Sequence, residues 1–387
     1  MRKVMKLGVL LLSVMLTAAI RPDAGGAADI KIGVAAALTG NASQYGVSIR
    51  KGFELALGEV NGSGGIKGQK LDLAVADEQG KKEEAINVFK KLIFQDKVLL
   101  LFGPTLSNSA QASDPVAQAA NVVVFGTSNT ADGITSIGNY VFRNSVTEAD
   151  ILPVTLKTAA QKTGLKKVAV LYGNDDIFTK SGYDNFKKAL QALKIPVTTT
   201  EIFAKGDVDF KPQLTKIKAA NADAIVISAL VAEGAPIMVQ ARQLGITLPF
   251  IGGNGMNSPR LFELAKDNSD NLWVGSPWSV ENPVAENTRF IAAFQKAYGA
   301  LPDQFAAQAY DAMHIVTQAL GKIKLTGKLE ADRQALRDAL PATQWTGATG
   351  PFKFRQAVGR DGKPAGYDAV QTAIVMVTKG NRYVIQK

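Results

Sequence analysis

Residues able to do chemistry are few in this chain, and they are scattered. There is one histidine, His314, placed among Met313, Ile315 and Val316 in a helical stretch, and there is no cysteine. A zinc site of the usual kind needs several His or Cys ligands, and Ser-His-Asp or Cys-His systems would all have to use that one imidazole. Its apolar neighbours make it a packed helix position instead. No GxSxG elbow, Walker loop or GxGxxG fingerprint occurs. The glycines between 62 and 68 follow a helical stretch and read as a turn. Asp175 and Asp176 stand side by side after an apolar strand, where a carboxylate caps a helix more readily than it forms an acid–base pair. The chain is therefore expected not to be an enzyme, and to use neither a cofactor nor a metal.

The elements around these residues alternate. Positions 29–36 form an apolar strand, followed by a helix whose Ile49, Phe53, Leu57 and Val60 recur at helical spacing and which stops at the glycines after Asn61. Strands at 70–76, 98–102 and 122–125 alternate with helices at 82–95 and 108–120. The rhythm restarts with strands at 167–172, 197–203 and 224–227 and helices at 180–193, 210–220 and 234–244. Uniformly apolar strands separated by helices belong to parallel sheets covered on both faces, so two doubly wound α/β lobes are expected. Helices at 287–298, 303–320 and 330–340 follow, and strands at 369–377 and 383–385 flank the turn at Gly380-Asn381. No low-complexity linker separates the halves, which implies several short crossovers acting as a hinge.

The N-terminus has the layout of a secretory signal peptide: Arg2, Lys3 and Lys6, an apolar run from Leu7 to Ala19, then small residues up to Asp29. The run is too short for a spanning helix with its flanks. The chain carries 44 Lys and Arg against 34 Asp and Glu. Setting aside four basic residues and Asp23 within 1–28 leaves 40 against 33. The remaining basic residues fall in pairs such as Lys81-Lys82 and Lys187-Lys188 on helix surfaces, with no basic stripe interleaved with aromatics, so nucleic acid is not an expected partner.

An ordered set of segments resembles the periplasmic solute-binding proteins of ABC transporters, specifically the branched-chain amino acid binding family. The set comprises Ile30 to Val34 with Leu38-Thr39-Gly40 and Tyr45-Gly46; Asn61 to Gly68 followed by Leu71, Leu73 and Asp77; Gly103-Pro104 with Ser107; Ser128-Asn129-Thr130; and Tyr172 to Asp176 with Gly182. The likeness spans essentially everything after residue 28. It implies a type I periplasmic binding protein: two doubly wound α/β lobes joined by three hinge crossovers, closing on a small ligand. The expected division is 1–28 as signal peptide, 29–148 with 278–362 as lobe 1, and 149–277 with 363–387 as lobe 2. The implied partners are a small-molecule ligand and the permease subunits of the transporter; the protein is expected to be periplasmic and monomeric.

The resemblance also implies a site. One lobe of the family grips a ligand carboxylate with hydroxyls and backbone N–H groups. Here Ser107 stands at a helix start and Ser128, Asn129 and Thr130 follow a strand end, both places that favour an anion. Tyr45 and Tyr310 match aromatic walls of the cleft, and Phe178 and Leu230 fall at further aromatic positions. At Asn254 the amino-acid binders carry an acid that holds the ligand's ammonium, and an amide cannot offset that charge. An apolar, even aromatic, carboxylate without an α-ammonium is the favoured ligand. A branched-chain amino acid, with Asp175 or Glu233 supplying the charge, is the competing one. A periplasmic sensor that signals to a receptor is the alternative function.

Overall fold

The structure, a computed structural model, describes residues 29–386. The proposed signal peptide lies outside the described residues.

Two sheets carry the fold. The first takes β1 (Ile30–Ala36), β2 (Leu71–Asp77), β3 (Leu100–Phe102), β4 (Val123–Gly126), β5 (Val141–Arg143), β11 (Gln344–Gly347), β12 (Gly350–Val358) and β13 (Pro364–Val370). Their order is β11-β12-β13-β5-β4-β3-β1-β2, parallel from β13 to β2 and antiparallel among β11, β12 and β13. The second takes β6 (Val168–Gly173), β7 (Val197–Phe203), β8 (Ala224–Ser228), β9 (Phe250–Gly252), β10 (Leu272–Ser276), β14 (Ile374–Thr378) and β15 (Tyr383–Ile385). It runs β15-β14-β10-β9-β8-β6-β7, with only β14 and β15 antiparallel to their neighbours. Strands β3, β4 and β8 are buried at every residue, as strands covered on both faces by helices must be.

The helices of the first lobe are α1 (Ser43–Gly62), α2 (Lys82–Lys90), α3 (Ser107–Ala119), α9 (Ala285–Tyr298), α10 (Gln304–Lys322) and α11 (Leu329–Ala339). Those of the second are α4 (Glu148–Thr163), α5 (Ile177–Ala192), α6 (Lys211–Ala219), α7 (Val231–Gln243) and α8 (Arg260–Ala265). Helix α1 buries Tyr45, Ile49, Phe53, Ala56 and Val60 on one face, the 3.6-residue spacing visible in the sequence.

The chain passes between the sheets three times: between β5 and β6, between β10 and β11, and between β13 and β14. The third passage corrects two expectations. The stretch 369–377 reads as one apolar strand, but its first residues close β13, where Ala369 pairs with Phe354, and its last belong to β14, where Val377 pairs with Trp273. The chain therefore changes lobe at 371–373, not at 362–363. Ladder pairing decides this, since residues 364–370 have partners only on the first sheet.

Both lobes order their first five strands as 2-1-3-4-5, so each has a switch point between its first and third strands. Ligands of open α/β sheets bind beyond the carboxyl ends of the strands at that point. The two switch points face each other.

Candidate functional site

Between the lobes lies a chamber lined by Tyr45, Thr105, Leu106, Ser107, Ser128 and Phe305 from the first lobe and by Asp176, Phe178, Leu230, Asn254 and Gly255 from the second. In this closed arrangement its cavity volume is about 20 Å³, far below the roughly 300–1,000 Å³ of occupied small-molecule sites, so the lobes must part to admit a solute. All its lining residues are buried except Leu230 and Ser128, which are half-buried, so the lobes stand closed.

Three helix N-termini converge on it. Helix α3 begins after Leu106 with no side-chain cap, so its first-turn N–H groups face the chamber beside the Ser107 hydroxyl. Helix α5 is capped by Asp176, whose Oδ1 accepts from the N–H groups of Phe178 and Thr179. Helix α7 has no cap of its own at Leu230; the Tyr45 hydroxyl, from the other lobe, accepts from Val231 N–H at 2.9 Å and donates to the Gly255 carbonyl at 2.7 Å. Burial pushes the Tyr45 phenol well above its ordinary pKa and keeps it neutral. The apolar wall is built from Tyr45, Phe178, Leu230 and Phe305, with the rings of Tyr45 and Phe305 4.7 Å apart.

Loops hold these groups in place. Ser128 Oγ donates to the Thr105 carbonyl at 2.7 Å and Asn129 Nδ2 to the Pro104 carbonyl, tying the loop after β4 to the loop after β3. Ser107 Oγ accepts from Ala131 N–H, which leaves its own proton free to donate. Beneath, the buried Arg143 pairs with Asp368 at 2.7 Å and donates to the carbonyls of Asn129 and Ala131. In the second lobe Gly255 passes so close to the Phe178 ring, 2.9 Å from where a Cβ would stand, that only glycine fits.

Further bonds join the lobes around the chamber. Asn108 donates to Asp176 Oδ2 at 2.5 Å and accepts from Ile177 N–H. Asp132 N–H donates to Ser181 Oγ, and its carboxylate accepts from Asn185. Gln304 of α10 donates to the Asn254 carbonyl and accepts from Asn257 Nδ2 and from Ser276 Oγ at the second crossover.

Of the nine residues expected in the site, the chamber brings together Tyr45, Ser107, Ser128, Phe178, Leu230 and Asn254. Asn129 turns inward to Pro104. Thr130 donates to Glu148 Oε1 at the first crossover. Tyr310 is elsewhere: it bonds to Glu59 and packs on Phe290. Five residues separate it from Phe305 on α10, about 140° around a helix of 3.6 residues per turn, so the two cannot face the same cleft. Phe305 is the aromatic wall the sequence did not disclose.

Neither acid considered as a replacement charge reaches the chamber. Asp175 accepts from Lys205 N–H at the surface, and Glu233 accepts from Gly206 N–H and lines a groove outside. The carboxylate in the chamber is that of Asp176. Burial raises its pKa, and the α5 N–H groups act against that rise. Among the described residues, no group of three or more His, Cys, Asp or Glu is arranged to hold a metal ion, and no helix is long and apolar enough to cross a membrane.

Residues 29–375 match the family model described as Periplasmic binding protein. The chain is 27% identical to Leu/Ile/Val-binding protein homolog 3 of Brucella melitensis, over 86% of this chain and 89% of that one. It is 28% identical to the leucine-, isoleucine-, valine-, threonine- and alanine-binding protein of Pseudomonas aeruginosa, over 85% and 86%. Among solved structures, the branched-chain amino acid transporter substrate-binding protein of Streptococcus pneumoniae in complex with isoleucine superposes with a TM-score of 0.82 at 28% identity, covering 92% of this chain and all of that one. A solute-binding protein of an ABC transporter from Rhodopseudomonas palustris, in complex with benzoate, gives 0.80 at 24% identity over 92% and 95%, a likeness of fold.

Proposed function

Because the chain belongs to the periplasmic binding protein family, we propose that it is the substrate-binding component of an ABC uptake transporter, capturing a small apolar solute that bears a carboxylate. The observation that carries this reading is the uncapped N-terminus of α3, opening beside Ser107 into a chamber whose other walls are Tyr45, Phe178, Leu230 and Phe305. A carboxylate there meets free N–H groups and the positive end of the helix, while the body of the ligand is desolvated against apolar rings.

The working cycle is hinge closure. Ligand bound between the switch points favours the closed arrangement of the lobes, and that arrangement is what the permease receives. The protein is exported by its signal peptide, works in the periplasm and acts as a monomer.

The names of the relatives favour a second reading, a branched-chain amino acid. Against it stand the neutral Asn254 and the commitment of Asp176 to its cap and to Asn108, which leave an ammonium without a free charged partner. A thermal-shift screen of the protein from residue 29 onward, against aliphatic and aromatic acids, their amides and amino acids, separates the two. Binding to the native state alone raises the melting temperature as RT ln(1 + [L]/Kd). A response confined to leucine-like amino acids would overturn the carboxylate reading.

A further inference from the structure

Asn254 is 2% exposed and its Oδ1 has no hydrogen-bond partner within the protein. Among the described residues that line the chamber, it alone holds such a buried, unpartnered polar atom. The rest of its surroundings are settled. Its carbonyl accepts from Gln304 Nε2 and from Asn257 N–H, and the next residue, Gly255, is locked against Phe178. An acceptor that stays unsatisfied in so fixed a frame is costly, and buried acceptors are almost always paired in functional proteins. A solute held in the chamber would supply that partner.

Resting on the carboxylate reading above, we propose that the solute also carries a neutral hydrogen-bond donor, a hydroxyl or an amide N–H, that meets Asn254 Oδ1. The class is that of hydroxy-substituted or amide-bearing apolar acids. A charged donor fits less well. The Asn254 amide is a dipole, which cannot offset a buried ammonium. The Asp176 carboxylate accepts two backbone N–H groups of α5 on Oδ1 and Asn108 Nδ2 on Oδ2, so its charge is already countered by the helix and by the other lobe. A site that hydrogen-bonds a ligand hydroxyl discriminates strongly against the analogue lacking it, because the buried partner is then left bare.

The test is calorimetric titration of the exported-length protein with two matched series. One is 4-methylpentanoate, 2-hydroxy-4-methylpentanoate and leucine; the other is benzoate with its 3- and 4-hydroxy derivatives. In at least one series the hydroxy acid is expected to bind about tenfold or more tighter than its parent. Asn254→Leu should erase that preference while the parent acid still binds. If Asn254→Leu does not fold, Asn254→Asp replaces it and is expected to gain leucine and lose the acids. Parent and hydroxy acids binding alike, leucine binding tightest, or a preference that survives in the variant would each overturn the inference. Parents and hydroxy acids binding alike would leave the carboxylate reading standing, whereas no acid binding at all would remove both.

Discussion

The Tyr45 hydroxyl, on α1 of one lobe, caps α7 of the other by accepting the Val231 N–H at 2.9 Å, and it donates to Gly255 beside Asn254 at 2.7 Å. Both bonds exist only while the lobes are closed. On the outer side of this bridge lies an open groove lined by Gln44, Val231, Glu233 and Arg260, so the tyrosine also separates the chamber from solvent.

Tyr45→Phe keeps the ring against Phe305 and removes only the bridge. Leaving a buried N–H and a carbonyl unpaired costs about 1–3 kcal/mol, so the ligand dissociation constant should rise by about fivefold to a hundredfold. Calorimetry reads the affinity and small-angle scattering reads the closure. Unchanged affinity would mean that the hydroxyl takes no part in closing.

The two loop hydroxyls should behave differently. Ser107→Ala removes a donor at the mouth of α3 and should weaken an acidic ligand by about 1–3 kcal/mol. Thr130→Ala should leave affinity nearly unchanged, because Thr130 faces Glu148 and not the chamber. If Thr130→Ala proved the more damaging to binding, the carboxylate subsite would have to be moved to that loop.

Glu148 makes stability depend on pH. Burial raises its pKa from 4.5 to about 8. The unfolded chain gives up this proton near the ordinary value and the folded chain only near 8, so between those limits the folded state binds more protons. Its contribution is full below the unfolded value and is lost as pH rises, by up to about 1.4 kcal/mol per unit. Glu148→Gln keeps an acceptor for Thr130 but cannot ionise. Its melting temperature should gain on the wild type from pH 5 to 8; parallel curves would show that Glu148 is already charged in the fold.

Arg143, 1% exposed, pairs with Asp368 and holds two carbonyls of the loop after β4. Arg143→Met leaves the partly buried Asp368 carboxylate with Thr135 as its remaining donor and frees two loop carbonyls, and should cost about 1–3 kcal/mol in urea denaturation. Adding Asp368→Leu should recover a good part of that. No recovery would locate the arginine's role in the loop carbonyls.

Much of the architecture was legible because buried parallel strands and one-sided helices leave different periods in the chain; β3, β8 and α1 are clear instances. The third crossover was not, since Gln371, Thr372 and Ala373 contain neither glycine nor proline and join two apolar strands that belong to different sheets. In the candidate site, residues at strand ends and helix starts reach the chamber because the fold directs those places at it. Consecutive loop residues cannot all point one way, which is why Ser128 reaches the chamber and Asn129 and Thr130 do not. Asp176 was rightly read as a cap, yet a cap at a switch point is also a wall. Phe305 gave no signal, being one apolar residue in an apolar helix.

The pairing of β13 beside β5, Tyr367 against Phe142, has a consequence for how the protein is made. Everything from β1 to β5 is synthesised long before the strand that covers its edge exists. Until residue 364 emerges, the nascent first lobe presents an open, apolar margin at Val141 and Phe142, a template for wrong partners. Contacts so far apart in the chain also close slowly. The first lobe to be translated is thus among the last to be completed, and shielding that margin from the ribosome onward is a task for whatever escorts the growing chain.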